Sequence, residues 1–140
     1  MSTTLITQLL ESKLAGVAAT LGLEIAMENI TFKPKDSNAI YLRSHILPAK
    51  TLGIDIAGAL QVFRGVFQVD VVAPAGSGKT KAGEVADSIL NSFPAGLELT
   101  SGEFTAYIEA VPYRMRPIPS DTRYLIPVNI DYRADTVKGE

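Results

Sequence analysis

Only one helical stripe lies between the strand-like segments of this chain, and that single fact constrains the fold most. In the stretch 82–93, Ala82, Val85, Ala86, Ile89, Leu90 and Phe93 recur at i, i+3, i+4, i+7, i+8 spacing, and Pro94 and Gly96 stop the pattern. A parallel sheet needs a crossover for each added strand, usually a helix. One crossover helix cannot feed a doubly wound parallel sheet. A second helix is predicted at the start, over 3–21, where Leu5, Ile6, Leu9, Leu10, Leu14, Val17, Ala18 and Leu21 keep the same period and Gly22 is placed to end it.

Elsewhere the period is two. Leu23, Ile25 and Met27 alternate with Glu24, Ala26 and Glu28; Ile40, Leu42, Ser44 and Ile46 alternate with Tyr41, Arg43, His45 and Leu47. The longest strand is expected over 58–73. Leu60 and Val62 share one parity there, and Phe67, Val69 and Val71 the other, which predicts a β-bulge at Arg64-Gly65. A hairpin is expected around Ser101-Gly102 and a closing strand over 123–132. Three stretches read as non-regular. These are 48–57, which has no helical stripe and no evident strand mate, the proline-rich 112–121, and a polar tail from Ala134. The expected organisation is one domain over 1–133 with a flexible tail over 134–140.

Composition enters through what it excludes. The chain has 140 residues, no cysteine and one histidine, so disulfides, thiolate metal sites and cysteine nucleophiles are out and one imidazole remains. Thirteen basic against fifteen acidic residues argue against a dedicated nucleic-acid binder. No apolar run reaches the roughly 18 residues of a membrane span, and the first residues lack the basic region of a signal peptide, so a soluble domain is expected.

One motif suggests chemistry. Ala73-Pro-Ala-Gly-Ser-Gly78-Lys79-Thr80 approaches the phosphate-binding pattern G-x-x-x-x-G-K-[ST], between a strand and a helix. Lys79 would neutralise phosphate and Thr80 would hold magnesium. Against this, Ala73 replaces the first glycine, Pro74 has no N–H to offer, and the best acidic partner, Asp131, falls on the polar parity of its strand. The plain alternative is a glycine-rich turn into a helix. Glu24 and Glu28 read as a solvated pair. His45, beside Tyr41 and Arg43, has no evident nucleophile and reads as a surface or interface residue. Arg114, Arg116 and Arg123, with Tyr113 and Tyr124 nearby, form a small basic patch that suits a protein interface better than nucleic acid. Leu52, Ile54 and Ile56 put apolar side chains on a loop, which suits cover by a neighbour.

Several of these segments together resemble the phage tail-terminator-like family. The resemblance is carried by Tyr41-Leu-Arg-Ser-His-Ile-Leu-Pro48, by the run Gly65 to Gly78, by the helix Ala82 to Phe93, by the closing strand Tyr124 to Tyr132, and by Phe32-Lys33-Pro34. It spans roughly residues 3–133. It implies an α+β fold: a mixed, mainly antiparallel sheet of about six strands with two helices packed on one face. It implies a structural protein with no enzymatic activity and no cofactor, and a hexameric ring that caps the tail tube and joins it to the head. Its partners would be copies of itself, the tail tube protein and head–tail connector proteins. DNA would pass through the ring without sequence-specific binding. The protein would reside in the virion after assembly in the host cytoplasm. The family's glycine-rich turn is not a known nucleotide site, whereas Lys79-Thr80 here keeps a small nucleotide-binding protein as the alternative. Leu52, Ile54, Ile56, Arg114 and Arg116 are the candidate interaction residues.

Overall fold

The computed structural model describes residues 3–27, 39–49, 52–53, 60–77, 79–102 and 104–137. Helix α1 (Thr3–Leu21) buries Ile6, Leu10, Leu14 and Ala18, one residue per turn, on the core. It ends as its sequence predicts. Gly22 has φ of 70°, its N–H donates to Ala19 O at 3.2 Å, and Leu23 N–H donates to Ala18 O at 2.9 Å. These two bonds satisfy the last carbonyls in a Schellman motif. Helix α2 (Thr80–Ser92) buries Ala82, Val85, Ala86 and Ile89, and Phe93 just beyond it is fully buried against Phe67, with ring centroids 6.3 Å apart.

Among the described residues nine strand segments form one sheet: β1 (Glu24–Ala26), β2 (Tyr41–Pro48), β3 (Leu52–Gly53), β4 (Leu60–Pro74), β5 (Glu98–Ser101), β6 (Phe104–Ile108), β7 (Tyr113–Arg114), β8 (Ile118–Pro119) and β9 (Arg123–Val137). Six of them run in the order β1-β2-β4-β9-β6-β5; β3 pairs with β4, while β7 and β8 pair with β9. Among the described residues only β1 and β2 pair in parallel. The fold is α+β. Both helices lie on one face, where Phe67, Val69, Val71 and Ala73 of β4 meet Ile126, Val128, Ile130, Tyr132 and Ala134 of β9.

The structure corrects four expectations about the strands. There is no bulge at Arg64-Gly65, because β4 and β9 keep one register from Leu60↔Val137 through Gly65↔Tyr132 to Pro74↔Arg123. The apolar Val62 is instead buried on the face opposite the helices: it is 2% exposed yet outside the helix-side core. Gly65 has a different purpose, since a Cβ there would collide with the Tyr132 hydroxyl and the Leu47 carbonyl. The one-residue slip sits on the neighbouring edge, where β2 pairs Pro48↔Gly65 but β3 pairs Leu52↔Val62. Leu52 therefore has a strand mate, although 54–57 lie outside the described residues. The tail expected to fray from Ala134 continues as β9 to Val137, because β4 supplies partners that far and Ala134 is fully buried. The proline-rich 112–121 contributes β7 and β8, which prolines permit at a sheet edge.

Candidate functional site

The alternate residues of β2, β4 and β9 point away from both helices, and they build a surface of a different kind. In β4 the residue at position 70 sits between apolar neighbours, yet it is an aspartate whose side chain is only 2% exposed. Its direct partner on β2 is Arg43. Arg43 donates to Asp70 Oδ2 from Nε at 3.2 Å and from Nη2 at 3.0 Å, His45 Nε2 lies 3.3 Å from the same oxygen, and Gln68 donates to Oδ1 at 3.0 Å. Register explains the cluster: Arg43 is opposite Asp70, and His45 is opposite Gln68, two residues along. A buried carboxylate is tolerated here because each oxygen has a donor.

Further along the same face, Arg64 donates to Glu109 at 2.8 Å, and Arg133 bonds Asp135 at 2.8 Å and reaches Glu109 at 3.6 Å. The Asp135 hydrogen bond raises the Arg133 pKa further above its ordinary value. Toward the β7 edge, Asn129 is 9% exposed; its Nδ2 donates to the Tyr113 hydroxyl at 3.3 Å and to Met115 Sδ at 3.1 Å, while its Oδ1 is buried with no partner among the described residues. Tyr113 and Met115 lie over Asn129 but keep 50% and 45% of their surface in water.

Exposed large apolar side chains are concentrated here. Five are found among the described residues: Val111 at 75%, Ile118 at 55%, Leu47 at 51%, and Tyr113 and Met115. Four of them fall within residues 111–118. The backbone places them there. β6 pairs Tyr107↔Arg133, and β7 pairs Tyr113↔Asn129, so the chain slips by two residues along β9 and Val111 sits in the slip. Tyr113 opposite Asn129, Met115 bonded through its N–H to Pro127 O, and Ile118 opposite Leu125 then share the helix-free side.

The predicted site residues separate. Arg114 has the opposite parity to Tyr113 and turns to the helix side, where it donates to Gly83 O at 3.3 Å and to Asp87 at 3.4 Å. It anchors the β7 segment to α2 rather than forming a free basic patch. Arg116 is exposed, β3 contains Leu52, and Ile54 and Ile56 lie outside the described residues. Sequence reasoning passed over Asp70 and the 111–118 column. An acid inside the apolar run 66–73, and the alternation Val111, Tyr113, Met115, were the available signals.

The glycine-rich turn is occupied by its own bonds. The Ala75 N–H donates to Thr122 O at 3.1 Å, and the Ser77 N–H and hydroxyl both donate to Pro74 O, at 3.3 and 2.6 Å. Those amides are directed at carbonyls, not at an incoming phosphate. Asp131 is eight residues along β9 from Arg123, the partner of Pro74, hence about 27 Å from the turn. Magnesium held at Thr80 could not reach it. Nothing among the described residues groups three or more His, Asp or Glu side chains for a metal ion. A cleft of about 500 Å³ opens between the end of α1 and α2, lined by Leu21, Leu23, Ile40 and Val85 with Lys81 and Glu84 at hand.

Comparison with known proteins agrees with this arrangement. A family model described as phage tail terminator protein matches residues 5–132. A solved structure with 33% sequence identity superposes at a TM-score of 0.79, covering 96% of this chain and 96% of its own. No curated protein matches.

Proposed function

This chain belongs to the phage tail terminator family, a family of structural proteins, and on that premise we propose that its copies close into a ring, hexameric as the resemblance implies, that caps the tail tube and joins it to the head. The coarser part is direct: the protein is a structural component of a phage tail and so of the virion. The observation that carries the finer part is the distribution of apolar surface. One face of the sheet is closed by two helices, while the exposed large apolar residues gather on the other face and its edges. Such a patch on a small domain is a liability in a lone subunit and a resource in an assembly.

The tail tube protein and a head–tail connector protein would be the partners on the two sides of the ring, with DNA passing through its centre. Leu52, Ile54, Ile56 and Arg116 are proposed to contribute to contacts between subunits, and Arg114 to hold the β7 segment in place through α2. Assembly would take place in the host cytoplasm. Replacing Leu52, Ile54 and Ile56 with serine should block assembly and leave the melting temperature nearly unchanged. Tail tubes polymerised in vitro test the whole reading: adding the purified chain should stop elongation and leave a ring at one end in negative-stain images. Tubes that lengthen unhindered, with no terminal density, would overturn it.

A further inference from the structure

Among the described residues of the helix-free face, one polar side-chain atom is buried without a partner, Oδ1 of Asn129. Asparagine is disfavoured inside a strand, and a buried carbonyl left unbonded lowers stability, so the residue calls for a reason. The reason lies at the other end of the same amide. Nδ2 donates to the Tyr113 hydroxyl at 3.3 Å and to Met115 Sδ at 3.1 Å. The amide is flat, so a nitrogen aimed outward leaves the oxygen aimed inward. Turning it over would set the carbonyl against the Met115 sulfur, which only accepts. Both bonds go to the far ends of their partners, a phenol oxygen and a thioether sulfur, and so they fix side-chain rotamers. The backbone is held separately: Tyr113 and Arg114 pair with Asn129 and Val128, Met115 N–H donates to Pro127 O at 2.8 Å, and Arg114 reaches Gly83 and Asp87 of α2 on the opposite face. Tyr113 and Met115 keep 50% and 45% of their surface in water, where such side chains otherwise sample several rotamers.

From this we infer that Asn129 is a positioning residue for assembly: it holds Tyr113 and Met115 in the rotamers with which they meet the next copy of this chain. The inference rests on the ring reading above and adds to it the residue that prepares the contact. Placement favours a second copy as the occupant. β7 and β8 lie along the flank of β9, and a ring requires each copy to offer a flank to its neighbour. The flank is open: Val111, Tyr113, Met115 and Ile118 are all exposed, and no strand among the described residues pairs beyond β7 and β8. Tyrosine and methionine are also among the residues enriched at protein–protein contacts. Side chains fixed before contact need not be ordered during it, which strengthens association without any new bond to the neighbour. The free subunit therefore loses some stability at Oδ1 and gains a prepared surface, the exchange expected where a buried polar group serves function.

Asn129→Leu separates the two effects, because it removes the orphaned carbonyl and both outward bonds while keeping the branched shape. The free subunit should melt at the same temperature or higher. The concentration at which the purified full chain forms rings in light scattering should rise roughly tenfold, since two side chains must then be ordered on contact. A purely structural role would move both readouts the same way, and such a parallel loss overturns the inference. Asn129→Val repeats the test with a smaller side chain should leucine overpack the site. Tyr113→Phe, at a half-exposed position, should weaken ring formation in the wild-type background and add little in the Asn129→Leu background, where the bond it removes is already gone. The chain has three methionines, so its methyl spectrum is simple to assign. The Met115 methyl should be rigid in the free wild-type subunit and mobile in Asn129→Leu. A Met115 methyl already mobile in the free wild type, or ring formation by Asn129→Leu equal to wild type, overturns this inference and leaves the ring reading standing. An Asn129→Leu chain that forms rings normally by itself and no longer stops tube growth assigns the pair to the tail tube protein, which also overturns it. A wild type that never forms rings by itself removes this inference, and if it also fails to stop tube growth the ring reading falls with it.

Discussion

The two faces of strands β4 and β9 are made from alternate residues of the same 15-residue segments, yet they follow different rules. On the helix side every position from Phe67 to Ala73 and from Ile126 to Ala134 is apolar or a tyrosine ring, all nearly without solvent exposure. On the other side stand a buried Asp70 that accepts from Arg43 and Gln68 with His45 alongside, a band of Arg64, Glu109, Arg133 and Asp135, and then the exposed column 111–118. A strand's period of two lets one chain carry both sets at once. The first face is built to fold the subunit; the second keeps its polar groups satisfied and leaves apolar surface for a neighbour. Stability and assembly are thereby assigned to different atoms, and substitutions should separate them.

The largest expected effect is on the helix side. Phe93→Ala removes a fully buried ring packed against Phe67 and should lower unfolding free energy by about 3–5 kcal/mol in urea titration. Ile89→Ala should lower it by about 2–5 kcal/mol. A loss below about half a kcal/mol in both would remove the contrast between the faces. An intermediate effect is expected at the polar cluster. Asp70→Asn takes the acceptor charge from Arg43 and His45, both of which still reach water, so about 1–3 kcal/mol should be lost. Melting curves should show that loss without a change in oligomer size.

A smaller, pH-dependent effect belongs to Tyr132, whose phenol is pushed above its ordinary pKa by burial. Folding then favours the protonated form. The contribution is fully present below the unfolded tyrosine value near about 10 and is lost as pH rises toward the folded value. Unfolding free energy should fall above about pH 10, and Tyr132→Phe should flatten that part of the profile. An unchanged slope in the variant would assign alkaline sensitivity elsewhere. The smallest stability effects, within about 0.5 kcal/mol, are expected at Lys79→Ala, where the side chain is exposed beside a self-bonded turn. Saturable ATP binding that vanished in this variant would restore the nucleotide reading.

What could be read in the sequence was what local periods encode. Both helices, the end of α1 at Gly22, the hairpin at Gly102 and the core parity of Phe67, Val69 and Val71 follow from spacing within each segment. What escaped depends on partners distant in sequence. Val62 looked like evidence for a bulge because nothing local says that a strand is buried on both faces. Gly65 is required by the Tyr132 ring on β9, 67 residues away by the numbering, not by a turn. Prolines at 112, 117 and 119 suggested an irregular loop, whereas β9 offers an edge along which short strands can pair and slip. The same slip exposes Val111. Asp70 reads as a surface acid until β2 supplies its donors.

Hydrogen exchange on the free subunit and on the assembled ring tests the division of labour most directly. Amides across the core stretches of β4 and β9 should be protected in both states, since their partners lie within one copy. Assembly should add protection at 44–57 on one edge and at 111–119 on the other, and little along α1 and α2. Protection gained chiefly on the exposed sides of α1 and α2, with 111–119 unchanged, would contradict the claim that the helix-free face is the one built for assembly.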